Sequence, residues 1–252
     1  MRRFAFDLDR PQHPRRNARP ALVAWAGQPA PGCAIEQGGL GAKHAKHRMI
    51  EREDVYFSAD VETDGPIPGP FSILSFALVY AGRFDGKRFE RPERFDTTFY
   101  RELRPISDRF EREALAVNKL DRDRLVREGA SPELAMTDAA VWVREHAGLG
   151  RPVLVAYPLS FDWTWLYWYF VRFSSEGSPF NHSGCFDLKT AIAVKAGVPI
   201  SAAGRRQLIA RLRSYQEHTH HALDDAIEQA EIFVRVFEWE GVRVGPDREP
   251  SR

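Results

Sequence analysis

The stretch Val55-Tyr56-Phe57-Ser58-Ala59-Asp60-Val61-Glu62 carries the first decision about the fold. Apolar residues alternate with the others along it, the two-residue period of a β-strand. Successive strand side chains point to opposite faces, so Val55, Phe57, Ala59 and Val61 share one face, and Asp60 and Glu62 the other. Two carboxylates side by side repel, and the arrangement is costly unless a cation sits between them. Oxygen-only ligands of this kind suit Mg²⁺ or Mn²⁺ better than zinc. From this pair alone, two solvated acids at a strand end remain the simpler reading.

Outward from that strand, Phe71–Tyr80 predicts a second, more fully buried one, and Phe95–Tyr100 a third, joined by turn residues into a meander. From Ser107 to Glu128 the pattern is helical and highly charged, which reads most simply as a solvated helical face. Ser131-Pro132 starts a helix, with Ser as N-cap and Pro at the first helical position, and Gly148 or Gly150 stops it. Val153–Tyr157 is a short apolar strand suited to the middle of a sheet. A very aromatic helix follows from Asp162 to Phe173, then Cys185–Leu188, two short helical patterns, and a last helix from His221 to Trp239. The fold class is α/β: a mixed central sheet flanked by helices on both faces.

Among the 252 residues, 43% are hydrophobic and 12% aromatic, which excludes a disordered chain and allows a well-filled core. The net charge of +1 hides an asymmetry: residues 1–48 carry +6 and the remainder −5. Residues 1–48 also scatter Pro and Gly without apolar periodicity. They read as a flexible, disordered basic arm, ahead of a domain over 49–240 and a disordered tail over 241–252. Met49 stands at the junction. A mildly acidic domain repels nucleic acid unless bound cations offset its carboxylates. The two cysteines, Cys33 and Cys185, form no CxxC pair, which fits a reducing compartment and gives neither a zinc site nor a disulfide framework. No apolar run follows the basic N-terminus and none approaches the ~20 residues of a membrane span, so a cytoplasmic protein without a membrane partner is expected.

Two further places carry chemistry. Asp162 lies where the strand Val153–Tyr157 hands over to the aromatic helix, embedded in Phe161-Asp162-Trp163. A metal ligand and a carboxylate favoured by the helix dipole are equally good readings of it. At the start of the last helix stands His218-Thr219-His220-His221-Ala222-Leu223-Asp224-Asp225, and such crowding of histidines and acids at an element boundary is more often a site than decoration.

Together these residues resemble the DEDDh 3′–5′ exonucleases, a superfamily with an RNase H-like fold that includes proofreading exonucleases and oligoribonucleases. Asp60-Val61-Glu62-Thr63-Asp64-Gly65 resembles their first motif, Phe161-Asp162 the second, and His220 with Asp225 five residues later the third. The resemblance runs from Val55 to Phe237, and residues 60–70 (DVETDGPIPGP) and 218–230 (HTHHALDDAIEQA) further resemble a bacterial exonuclease subgroup. One departure is Pro158, where the family usually has Asn four residues before the second-motif Asp.

The resemblance implies a metal-dependent exonuclease that removes nucleoside 5′-monophosphates from 3′ ends of single-stranded RNA or DNA. It implies two divalent cations, Mg²⁺ or Mn²⁺, ~3.5–4 Å apart, stabilising the attacking and leaving oxygens. Asp60, bridging the two, and Glu62, Asp162 and Asp225 are the implied ligands, and His220 the general base. Thr63 is the implied contact to the terminal nucleotide, with Phe71 and Leu74 as wedges against its base. Asp187 reads as structural. Most aromatics of the helix Asp162–Phe173 read as core, with a homodimer interface as an option for its outward face and base stacking near Asp162. Two other readings compete: a nucleic-acid-binding module whose catalysis has lapsed, and a hydrolase of small phosphodiesters or dinucleotides.

Overall fold

The computed structural model describes residues 53–216 and 218–242. The arm expected over 1–48, and the tail from residue 243 on, lie outside the described residues. Strand β1 (Asp54–Thr63) pairs antiparallel with β2 (Ile73–Phe84) on one edge and parallel with β5 (Arg151–Ala156) on the other. The free edge of β2 carries β3 (Phe89–Glu90) and β4 (Thr98–Glu102), and β5 carries the short β6 (Cys185–Asp187). The strand expected over Phe95–Tyr100 is β4, which begins and ends later, and the two-residue β3 precedes it, with Pro92, which has no N–H to give a ladder, in the gap between them.

The alternation in β1 sorts the core into two layers. Val55, Phe57, Ala59 and Val61 pack against α3 (Pro132–Ala147) and α4 (Leu159–Phe173). Tyr56 joins Ala77, Val79 and Ala81 of β2 beneath α5 (Leu188–Ala196) and α6 (Ala222–Glu238). Asp60 and Glu62 share the face of Tyr56, so they lie on the side that α6 covers. An extra residue in β2 opposite Tyr56/Phe57 bulges the ladder near Gly82, whose φ of 126° suits glycine. A Cβ there would meet the Glu90 carbonyl oxygen at 2.7 Å.

Helix α3 starts on the Ser131 cap, whose hydroxyl accepts the Leu134 N–H, and stops at Gly148, as its sequence dictates. Helix α4 starts three residues before Asp162, because its cap comes from a distant part of the chain. Asp187 Oδ2 accepts the Leu159 N–H at 2.7 Å, while Oδ1 caps α5 by accepting the Thr190 N–H at 2.7 Å. The structural reading of Asp187 therefore holds. Of the α4 aromatics, Trp165, Tyr169 and Phe170 are fully buried, each burial worth roughly 1.5–3 kcal/mol. Trp163, Trp168 and Phe173 pack against the same layer from its margin.

The charged stretch 107–128 needs correction. It forms two helices, α1 (Arg112–Asn118) and α2 (Arg122–Glu128), separated at Lys119 by a left-handed turn. It is not simply a solvated face. Asp64 is fully buried and needs a counter-charge, which Arg122 Nε provides at 3.0 Å. Asn118 is buried too, and its Nδ2 donates to the Thr63 carbonyl at 2.9 Å, which ties α1 to the end of β1. No helix among the described residues is long and apolar enough to cross a membrane.

Candidate active site

Strand β5 follows β1 only as far as Ser58, because the chain then turns through Tyr157-Pro158 into α4. The last residues of β1 therefore have an open edge, and Asp162 in the first turn of α4 closes it. Its Oδ1 accepts the Val61 N–H at 3.1 Å. Beside this edge opens a cleft of about 650 Å³, lined by the end of β1, α1, the start of α4, a 3₁₀ turn at Arg205–Gln207 and the loop ahead of α6.

Three of the expected acids meet there. Asp60 and Glu62 project from β1 toward the first turn of α6, and one oxygen from each lies within 4.8 Å of one from Asp225. All three are buried, and Asp162 lines the same cleft just outside this cluster. One turn along α6 from Asp225, Gln229 is fully buried and its Nε2 donates to Asp60 Oδ1 at 2.8 Å.

The electrostatics follow from crowding. Burial, then the charges of Asp162, Glu62 and Asp225, hold the Asp60 carboxyl well above the usual range. Burial and neighbouring acids push Glu62 up to about 8, and burial pushes Asp162 up to about 7. Desolvated acids that raise one another in this way are short of positive charge. The donor set is all carboxylate oxygen, the chemistry of a hard divalent cation, so these residues fit such a metal.

Asp225 is the exception. Burial pushes it up, but the His218 hydrogen bond, the Thr219 N–H and the Arg205 charge outweigh that and leave it below its usual value. His218 Nδ1 lies 2.9 Å from Asp225 Oδ2 and 3.5 Å from Glu228 Oε2, and these two partners pull the imidazole up to about 9. The backbone N–H groups of Thr219 and His220 donate to the two oxygens of Asp225 at 2.9 and 3.1 Å.

His220 lines the cleft, its ring 4.4 Å from that of His218. His221 does not line it: it occupies the N-cap position of α6, and its ring lies 5.0 Å from that of Tyr100. Thr63 also lines the cleft, its hydroxyl donating to the Gly65 carbonyl at 2.9 Å. Phe71 and Leu74, expected beside a terminal base, are core residues instead. Leu74 has no exposed surface, and the Phe71 ring sits so close over Gly65 that a Cβ there would fall 2.2 Å from it. Sequence reading gave no role to His218, Arg205 or Gln229. Gln229 carries a signal, being four residues after Asp225 on one helical face. Arg205 carries none, since only the fold brings its turn to the cleft.

No family model matches the chain. It is 29% identical over 188 residues to the 3′–5′ DNA exonuclease Cap18 of Escherichia coli, an alignment covering 73% of this chain and 92% of that protein. Among solved structures, the nuclease domain of 3′hExo, a DEDDh family member bound to rAMP, superposes with a TM-score of 0.55 at 15% identity. That match covers 77% of this chain and 96% of the other. Exonuclease I superposes with a TM-score of 0.52 at 13% identity over 73% of this chain, which spans 40% of that larger protein. At such identities the structural matches speak for the fold, which is the RNase H-like exonuclease fold. With that fold, its four acids in family order and a histidine five residues before the last of them, the chain is similar to the DEDDh exonucleases.

Proposed function

We propose that the protein is a metal-dependent 3′–5′ exonuclease acting on single-stranded nucleic acid and releasing nucleoside 5′-monophosphates. The observation that carries this reading is the buried carboxylate cluster of Asp60, Glu62 and Asp225, with Asp162 beside it, opening onto a cleft that His220 lines. DNA is the favoured polymer, because the Escherichia coli relative is a DNA exonuclease by name. Asp60, Glu62, Asp162 and Asp225 would hold two divalent cations, Mg²⁺ or Mn²⁺. Bound cations supply charge neutralisation, both for the acids and for the anionic transition state.

The chain's own groups do the rest. His220 takes the proton from the attacking water, whose oxygen bonds to phosphorus as the bond to the penultimate 3′ oxygen breaks. Thr63 and the backbone beside it contact the terminal nucleotide at the end of β1. A cytoplasmic location belongs to the same proposal, in keeping with two cysteines that stand far apart in the sequence.

The test uses 5′-labelled single-stranded DNA and RNA of matched sequence with Mn²⁺. The expected result is a ladder shortening from the 3′ end, slowed by a 3′-phosphate, with covalently closed circles left intact. Cleavage of circles at a comparable rate overturns the exonuclease reading. Tight binding of linear strands with no products favours the lapsed module.

A further inference from the structure

Six acids line the cleft, Asp60, Glu62, Glu111, Glu113, Asp162 and Asp225, and among the described residues lining it Arg205 is the single lysine or arginine. We infer that Arg205 is a further catalytic residue, whose guanidinium binds the phosphate of the terminal nucleotide and neutralises charge as the scissile bond breaks. The inference rests on the exonuclease reading.

Its donors are the first support. Nε and Nη2 of Arg205 are buried and make no hydrogen bond. Glu228 Oε2 lies 3.2 Å from Nε, close enough for an ion pair but off the donor direction, and that oxygen is also without a hydrogen bond. A guanidinium cannot discharge, and its fork of donors matches two oxygens of a phosphate. Leaving such buried donors without a partner is costly, and an anionic ligand in the cleft would recover that cost.

Preorganisation is the second. Tyr157, at the end of β5, lies beneath the guanidinium, 5.0 Å from ring centre to Cζ. Its hydroxyl donates to the Ala203 carbonyl at 2.6 Å, two residues ahead of Arg205. One side chain thus anchors the 3₁₀ turn and supports the charged group the turn carries. A transition-state charge is best met by a donor that need not reorganise.

A competing role is visible. The Arg205 charge also lowers the carboxyls of Asp60, Asp162 and Asp225 against burial, as a mere counter-ion would. The two roles part on measurement. A counter-ion competes with the metals, so its removal tightens Mn²⁺ binding and spares turnover at saturating metal. A phosphate ligand acts on substrate, so its removal lowers kcat even there.

The experiment compares wild type, Arg205→Gln, Arg205→Lys and Tyr157→Phe. It reads kcat on single-stranded DNA at saturating Mn²⁺, Mn²⁺ affinity by calorimetry, and affinities for thymidine 5′-monophosphate and thymidine. Wild type should prefer the monophosphate. Arg205→Gln should weaken that preference, the remainder being due to the cations, and lower kcat by about 10²-fold without weakening Mn²⁺. Arg205→Lys should recover part of both as a point charge, and Tyr157→Phe should lose part of both. Wild-type kcat and phosphate preference in Arg205→Gln would overturn the inference, as would full activity in both other variants should Arg205→Gln fail to fold. A wild-type protein that degrades no nucleic acid sinks the exonuclease reading instead, and the nucleotide affinities still decide whether Arg205 meets a phosphate.

Discussion

His220 holds a left-handed backbone with φ of 58°, a conformation uncommon outside glycine, and this turn separates its ring from that of His221. Helical spacing alone would have chosen His221, four residues before Asp225. That argument requires residue 221 to be helical, and its φ of −115° places it at the cap, outside α6. The family spacing of five residues selects His220, and the geometry gives that residue the cleft. General acid–base catalysis contributes ~10²–10⁴-fold, so His220→Ala should lose activity on that scale while still binding Mn²⁺. His221→Ala should lose the packing on Tyr100 and the 3.7 Å contact with the exposed Asp224, and stay within a few-fold of wild type, or about 1 kcal/mol. Rates of both variants at saturating Mn²⁺, with metal affinity measured separately, decide the matter. A crippled His221→Ala beside an active His220→Ala would reverse the assignment.

At the scale of elements, the site is an agreement between β1 and α6 to place like charges together, and metal-free stability should show it. Glu62 rises from an ordinary 4.5 to about 8 on folding, and Asp162 from 3.8 to about 7. The folded state therefore holds these protons more tightly than the unfolded one. The stability they contribute is full below the unfolded values and lost as pH rises through about 7 to 8. His218, raised from 6.5 to about 9, acts in the same direction over a higher window. The metal-free protein should thus melt at progressively lower temperature from pH 5 to pH 8, and Mn²⁺ should restore the loss at pH 8 while releasing protons. Asp60→Asn should flatten this slope, raise the metal-free melting temperature at pH 8, and abolish metal-dependent degradation. A pH-independent metal-free melting temperature would refute the account of the cluster. Elements with local causes were legible beforehand: β1 from its alternation, α3 from Ser131-Pro132. The start of α4 was not, because its capping carboxylate, Asp187, stands 28 residues away. Nor was the inward role of Arg122, since only the fold reveals that Asp64 is buried and in need of it.

For the whole molecule, the question is which part of the 252 residues makes the catalytic domain. Both layers of the core close on elements between Asp54 and Trp239: one under α3 and α4, the other under α5 and α6. Three of the four acids of the site are held by a neighbour from within that span: Asp60 by Gln229, Asp162 by Val61, Asp225 by His218. We therefore propose a domain over residues 49–240, with residues 1–48 needed neither for folding nor for the site. The +6 charge of 1–48 still has a physical consequence, because the remainder is −5 and the substrate is a polyanion. Basic residues that contact phosphates release counterions, and their contribution falls steeply with salt. A protein starting at Met49 should melt cooperatively and match the full chain in kcat at saturating substrate. Its KM for single-stranded DNA should exceed that of the full chain at low salt, with the two values converging near 0.15 M, where the Debye length is about 8 Å. Melting curves and a KM series across salt check both halves. Aggregation or non-cooperative melting of the shortened protein would place residues 1–48 in the fold, and equal KM values at low salt would remove them from substrate binding.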